Sequence, residues 1–124
     1  MTSKQFLTFH SIVYGFFALA LLLIPLQLWP LYGLEIADGD ALFLSQHNSI
    51  FLGGLAALTW LLRDLTQPDT LKRVLTGVLI TNLFGVSITL YACVLGVFSG
   101  FGWSDPAFFT LLAVMSLMQL QRLD

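Results

Sequence analysis

Two histidines and a run of uncharged polar residues are the side chains of this sequence that could do chemistry. His10 is followed four residues later by Tyr14, on the same face of a helix. A neutral imidazole is a common metal ligand, here for a haem iron or a chlorophyll-type magnesium. We therefore predict His10 and Tyr14 as a cofactor or pigment contact. The alternative is an interfacial histidine bonded to water, a headgroup or Tyr14.

The second candidate is a predicted polar site in an otherwise apolar chain. It consists of Gln46, His47, Asn48 and Ser49, which are consecutive, together with Asn82. Such a site would receive a headgroup, a quinone carbonyl or a partner loop; alternatively, residues 46–49 lie at a membrane interface. A lone Asn in hydrocarbon is expected to hydrogen-bond another helix, with a substrate contact as the alternative.

The composition places these residues in a membrane. Of 124 residues, 57% are hydrophobic and 10% are charged, and the mean hydropathy is +0.87. Soluble domains carry roughly 25% charged residues, so a soluble globular protein is excluded. Five scattered Lys and Arg residues give no basic patch for nucleic acid. The lipid bilayer is the first predicted partner.

Four apolar runs approach the roughly 20 residues that a spanning helix needs. They cover residues 6–28, 41–62, 71–98 and 106–120, which predicts an all-α integral membrane four-helix bundle in a single domain, 1–124. The first run is expected to remain as an uncleaved helix. Asp69 or Thr70 is predicted to cap the third helix, and Asp105 the fourth, with Pro106 at its first position.

The charges predict an orientation. All five cations fall on one side of a four-span topology: Lys4, Arg63, Lys72, Arg73 and Arg122. Since Lys and Arg favour cytoplasmic loops, both termini are predicted to be cytoplasmic. The opposite side holds acids that we expect to be solvated loop residues: Glu35, Asp38, Asp40 and Asp105. His10 and His47 belong to opposite faces, which disfavours a haem held by both.

Small residues recur at helical spacing and predict where the helices pack. The predicted packing residues are Ser11, Gly15, Gly53, Ala56, Gly85, Thr89 and Gly96. Membrane helices associate through such residues, and we expect the first three spans to form the tight part of the bundle. A ligand groove or pore is the alternative. Trp29, Tyr32, Trp60, Phe101 and Trp103 are expected to form interfacial aromatic belts.

Several short motifs give the chain a family resemblance. They are Gly53-Gly54, Trp60-Leu61-Leu62-Arg63-Asp64, Gly77, Asn82 and Gly102-Trp103. With them the chain resembles a bacterial family of small four-span integral membrane proteins of unknown function. The resemblance implies a location in the bacterial inner membrane and no established activity. Where the family usually has an Arg, about four residues before the paired glycines, this chain has Ser49.

The sequence lacks the residues and motifs that ion-coupled transporters and enzymes use. No charged residue lies well inside a span, which argues against ion-coupled transport. No nucleophile motif, metal-ligand pair or phosphate loop appears, and Cys93 has no basic neighbour to activate it. We therefore expect no enzyme, no catalytic residue and no metal, and the sequence requires no cofactor.

The expected function is that of a non-catalytic accessory or structural subunit. It would pack in a larger membrane complex or a homo-oligomer, and hold lipid, quinone, haem or another pigment between its helices. One alternative is a small oligomeric transporter or channel for a neutral or apolar solute. The other is a membrane enzyme acting on a lipid-like substrate, with His10 or His47 as acid and base.

Overall fold

The chain is a multi-pass helical membrane protein. A computed structural model describes residues 1–124 and contains no β-strand. Its helices are α1 (Ser3–Leu23), the short α2 (Pro25–Leu28), α3 (Gly39–Leu61), α4 (Pro68–Val94) and α5 (Ser104–Arg122), with 3₁₀ turns at Trp29–Tyr32 and Gly100–Trp103. Helices α1, α3 and α4, and the segment Gly100–Arg122, are long and apolar enough to cross a membrane.

Two helices begin at side-chain caps. Thr2 Oγ1 accepts from the Gln5 backbone N–H at 3.1 Å, and Gln5 Oε1 accepts from the Thr2 N–H at 2.9 Å, a capping box for α1. Asp38 Oδ1 accepts from the Ala41 N–H at 2.8 Å and caps α3. These bonds satisfy backbone donors that have no partner in the first turn of a helix.

The first and third predicted spans are too long at their carboxyl ends. The apolar run 6–28 divides at Ile24, which has φ −132° and ψ 42°, because the ring of Pro25 disfavours the helical conformation in the residue before it. Helix α4 ends at Val94, and Gly96 follows with φ 79°. Gly96 is exposed with open space around it, so it serves the turn after the helix and does not share the predicted packing face.

The predicted caps of the third and fourth spans are wrong. Helix α4 begins at Pro68, which places Asp69 and Thr70 inside its first turn. Helix α5 continues directly from the 3₁₀ turn and begins at Ser104, so Asp105 is its second residue and its side chain caps nothing. Both helices start earlier than expected. Pro68 supplies the helical starting geometry for α4, and the preceding 3₁₀ turn supplies it for α5.

The helices pack in two close pairs, α1 with α3 and α4 with α5. Small residues form the first contact: a β-carbon built on Gly15 would lie 3.7 Å from Ala56 Cβ, and one on Gly53 would lie 3.6 Å from Ala18 Cβ. In the second pair, the Phe109 ring occupies the space beside Gly85. Ser11 and Thr89 are buried, and each bonds a carbonyl of its own helix.

Helix α3 is the least buried of the long helices. Its backbone closely approaches that of α1 but not that of α4 or α5, which differs from the expected tight group of the first three spans. Only Ser45, Ser49 and Thr59 of its residues are buried. The main apolar cluster instead joins α1, α4 and α5, with Phe6, Leu75 and Leu112 fully buried in it.

The two ends of the molecule differ in charge. The end that carries both termini and the α3–α4 turn, called the basic end below, holds all five cations and two ion pairs, Lys4–Asp64 at 2.8 Å and Lys72–Asp124 at 2.6 Å. The other, called the acidic end, comprises residues 24–40 and 95–105. The two 3₁₀ turns meet there, where Tyr32 O accepts from the Ser99 N–H at 2.8 Å.

Candidate functional site

A buried hydrogen-bonded cluster joins α1 to α4 and contains His10, Tyr14 and Asn82. The Tyr14 hydroxyl donates to Asn82 Oδ1 at 2.7 Å, and Asn82 Nδ2 lies 3.0 Å from His10 Nε2 and 2.9 Å from the carbonyl oxygen of Val78. The His10 and Tyr14 rings stack with their centroids 4.2 Å apart. His10 and Asn82 are both fully buried. The expected bond from Asn82 to another helix is therefore present, and its partners are the residues predicted as a cofactor contact.

The geometry of the cluster fixes the tautomer of His10. The Val78 carbonyl can only accept, so the amide nitrogen of Asn82 must face it. The same nitrogen then donates to His10 Nε2, which leaves the ring proton on Nδ1. That Nδ1 has no hydrogen-bond partner. A metal bound at Nε2 would have to displace Asn82, so His10 and Tyr14 are engaged in holding helices together.

The other predicted polar residues lie apart from Asn82, on α3. Gln46 Nε2 donates to the Leu22 carbonyl at 3.3 Å, and the buried Ser49 bonds a carbonyl of its own helix. His47 and Asn48 are exposed. The His47 ring lies between Phe43 and Phe51, with centroids at 5.5 and 5.8 Å. The five residues predicted as one polar site thus belong to two separate places.

A cavity of about 240 Å³ lies in the half of the molecule nearer the acidic end. Helices α1, α4 and α5 form most of its sides, α3 contributes Leu52, and α2 with the 3₁₀ turn after it closes one end. Fourteen of its 16 lining residues are hydrophobic. The aromatic ones are Tyr14, Phe17, Trp29, Tyr32, Phe98, Phe108 and Phe109. Aromatic walls and this size suit a small ring or part of a lipid chain.

Polar groups without partners gather at one end of this cavity. Asp105 is one of the two lining residues that are not hydrophobic, and Tyr32 and Ser104 are its polar neighbours. The buried Tyr32 Oη and Ser104 Oγ atoms make no hydrogen bond of ordinary geometry. Besides these two, His10 Nδ1 is the only buried side-chain nitrogen or oxygen that lacks a partner. Buried polar atoms are normally paired, so the cavity end is suited to a ligand with a polar head.

Tyr32 is held rigidly in an aromatic cluster. Its ring lies 5.5 Å from those of Trp29 and Phe98 and 5.6 Å from that of Phe101, each approached edge to face. The Trp29 indole N–H donates to Ser45 Oγ at 2.7 Å, which fixes this cluster to α3. Burial and the negative charge of Asp105 raise the pKa of the Tyr32 hydroxyl above its ordinary value. The phenol therefore stays protonated and can donate to a ligand.

The sequence did not predict that Asp105 and Tyr32 lie together at a cavity. Asp105 was expected to be a solvated loop acid, but it is half-buried in the first turn of α5 and lines the cavity. Its position just before Pro106 has an ordinary explanation as a helix cap, which hid the other role. Tyr32 matched the pattern of an interfacial aromatic belt. No signal in the sequence separates Asp105 from Asp40, which also directly precedes an apolar run.

The structure contains no cluster of three or more His, Cys, Asp or Glu side chains that could hold a metal ion. Cys93 is buried, with its sulfur 3.7 Å from the Gly102 carbonyl oxygen. Compared with protein-family models, curated proteins and solved structures, the chain matches none. The resemblance to small four-span bacterial proteins therefore stays a prediction.

Proposed function

We propose that this protein is a non-catalytic four-helix bundle of the bacterial inner membrane that holds a small apolar or amphiphilic molecule between its helices. It acts as an accessory or structural subunit of a larger membrane complex or a homo-oligomer. Both termini lie in the cytoplasm, as the position of all five cations at the basic end favours.

The cavity carries this proposal. It combines aromatic walls with a polar end formed by Asp105 and Tyr32, where the hydroxyls of Tyr32 and the neighbouring Ser104 make no hydrogen bond of ordinary geometry. Leaving such groups unpaired costs stability in an apolar environment. A bound molecule with a polar head and an apolar body, in the size range of a lipid segment or a quinone ring, would satisfy the hydroxyls and fill the space.

Helix α3 supports the subunit role. Among the other long helices its backbone closely approaches only α1, and most of its residues are not buried. Its exposed face is largely apolar, as lipid requires, but it also presents the polar side chains of His47 and Asn48. Polar groups on membrane helices are favourable where another helix can bond to them. A second subunit against α3 would supply those partners.

Native mass spectrometry of the protein in nanodiscs tests the subunit role and the ligand-holding role together. It gives the number of chains in the assembly and the mass of any bound molecule. Ala92 lines the cavity, so Ala92→Leu is expected to fill it and to remove the bound molecule. The control is Ala107→Leu, at an exposed position of α5, which should retain it. Circular dichroism checks that both variants fold.

A short-chain ubiquinone serves as the added probe if nothing co-purifies. Its binding should quench the fluorescence of Trp29 in the cavity wall, and Ala92→Leu should abolish the quenching. A wild-type protein that is monomeric, carries no small molecule and binds no added probe would refute the proposal. Retention of the same molecule by a folded Ala92→Leu variant would refute the cavity as its site.

A further inference from the structure

The Asp105 carboxylate has no positive partner. Neither ion pair of the structure involves it. Every Lys and Arg lies toward the basic end, and Arg122, on the same helix, is 17 residues away, or about 26 Å along the axis. Asp105 therefore faces a largely apolar cavity with an uncompensated charge, which is an unfavourable arrangement unless something pairs with it.

We propose that the cavity binds a lipophilic organic cation whose charged head pairs with the Asp105 carboxylate. This inference rests on the proposed ligand-holding function and names the ligand class. The Tyr32 and Ser104 hydroxyls border the head, and their oxygens accept hydrogen bonds from a protonated amine. The apolar body lies among other rings that line the cavity, such as those of Phe17, Phe108 and Phe109.

The aromatic walls favour a cation independently of Asp105. Trp29, Tyr32 and Phe98 all line the cavity, and the negative face of an aromatic ring attracts a cation within about 6 Å, most strongly when the pair is removed from water. A head that carries no charge gains nothing from this attraction. Carboxylate and rings together favour a positive charge, so an organic cation would bind more tightly than an uncharged ring of similar size, such as a quinone.

The charge of the whole acidic end favours delivery of such a ligand. Glu35, Asp38 and Asp40 lie in the exposed loop and first helical turn that follow Tyr32, and no Lys or Arg lies at this end. A surface of one sign raises the local concentration of oppositely charged ligands. Organic cations would therefore be concentrated at the end of the molecule where the cavity lies.

The test compares two probes of the same shape, phenyltrimethylammonium and its neutral isostere tert-butylbenzene. Their binding is measured by calorimetry and by Trp fluorescence in nanodiscs of zwitterionic phosphatidylcholine. We expect the cation to bind at least tenfold more tightly than the isostere. Asp105→Asn, which keeps the shape of the side chain but removes its charge, should lower the affinity for the cation at least tenfold and leave that for the isostere unchanged.

Glu35→Gln is the matched control, since it removes one negative charge at the same end from an exposed loop position. It should change the affinity for the cation less than twofold in 0.15 M salt, where surface charges are screened. Equal affinities for the two probes would overturn the cation proposal but leave the ligand-holding function standing. Unchanged cation binding in a folded Asp105→Asn variant would also overturn it. If neither probe nor a short-chain ubiquinone binds, both proposals fail.

Discussion

At the scale of single residues, Asn82 uses every hydrogen-bonding group of its side chain within the protein. Its oxygen accepts from Tyr14, and its nitrogen donates to His10 and to the Val78 carbonyl. The sequence predicted a bond from Asn82 to another helix, because an amide alone in hydrocarbon needs one. It could not predict the partners, since they depend on how α1 and α4 rotate toward each other.

Replacing Asn82 with Leu should weaken the joint between α1 and α4. Side-chain bonds between membrane helices contribute about 0.6–2 kcal/mol, so we expect Asn82→Leu to lower the free energy of unfolding by about 1–2 kcal/mol, as measured by steric trapping in bicelles. Ser87→Ala is the control, because exposed Ser87 bonds a carbonyl of its own helix. Equal stability of Asn82→Leu and wild type would show that the cluster does not hold the helices together.

At the scale of helices, the sequence predicted where the helices lie along the chain better than it predicted how they pack. Apolar runs and prolines located the four long helices to within a few residues, because both signals act over one or two turns. The α1–α3 contact also followed from small residues at helical spacing, such as Gly15 and Ala56. The 3₁₀ turns at the acidic end could not be predicted from the sequence, because they are held against each other by a long-range hydrogen bond from the Ser99 N–H to the Tyr32 carbonyl.

The close approach of α4 and α5 can be tested with two glycines of one helix. A β-carbon at Gly85 would lie 2.3–2.6 Å from Phe109 ring atoms, whereas one at Gly77 would meet nothing within 4 Å. Overpacking of this kind costs about 1–3 kcal/mol, so Gly85→Ala should destabilise the protein by that amount. Gly77→Ala should be neutral or stabilising by up to about 1 kcal/mol, because Ala has the better helix propensity. Two variants of equal stability would contradict the observed packing.

At the scale of the whole molecule, charge divides the protein more sharply than any motif does. The basic end holds both ion pairs, and there the Lys4 ammonium, through its hydrogen bond, lowers the pKa of the exposed Asp64 carboxyl. The acidic end holds the cavity and Asp105. The sequence indicated this division because charges in short loops can be counted directly. It did not indicate the cavity, which forms only where side chains of separate helices leave space between them.

The orientation that this division predicts can be measured by labelling single cysteines. In a Cys93→Ser background, Glu35→Cys places a thiol at the acidic end and Thr66→Cys places one in the turn between α3 and α4; both positions are exposed. Because Lys and Arg are retained in the cytoplasm, a membrane-impermeant maleimide should label Cys at 35 in intact spheroplasts, and Cys at 66 only after permeabilisation. The reverse pattern would place both termini outside and turn the cavity toward the cytoplasm, so that its ligand would have to come from within the cell. Labelling of both thiols in intact spheroplasts would instead indicate a mixed orientation, which the strict sorting of all five cations argues against.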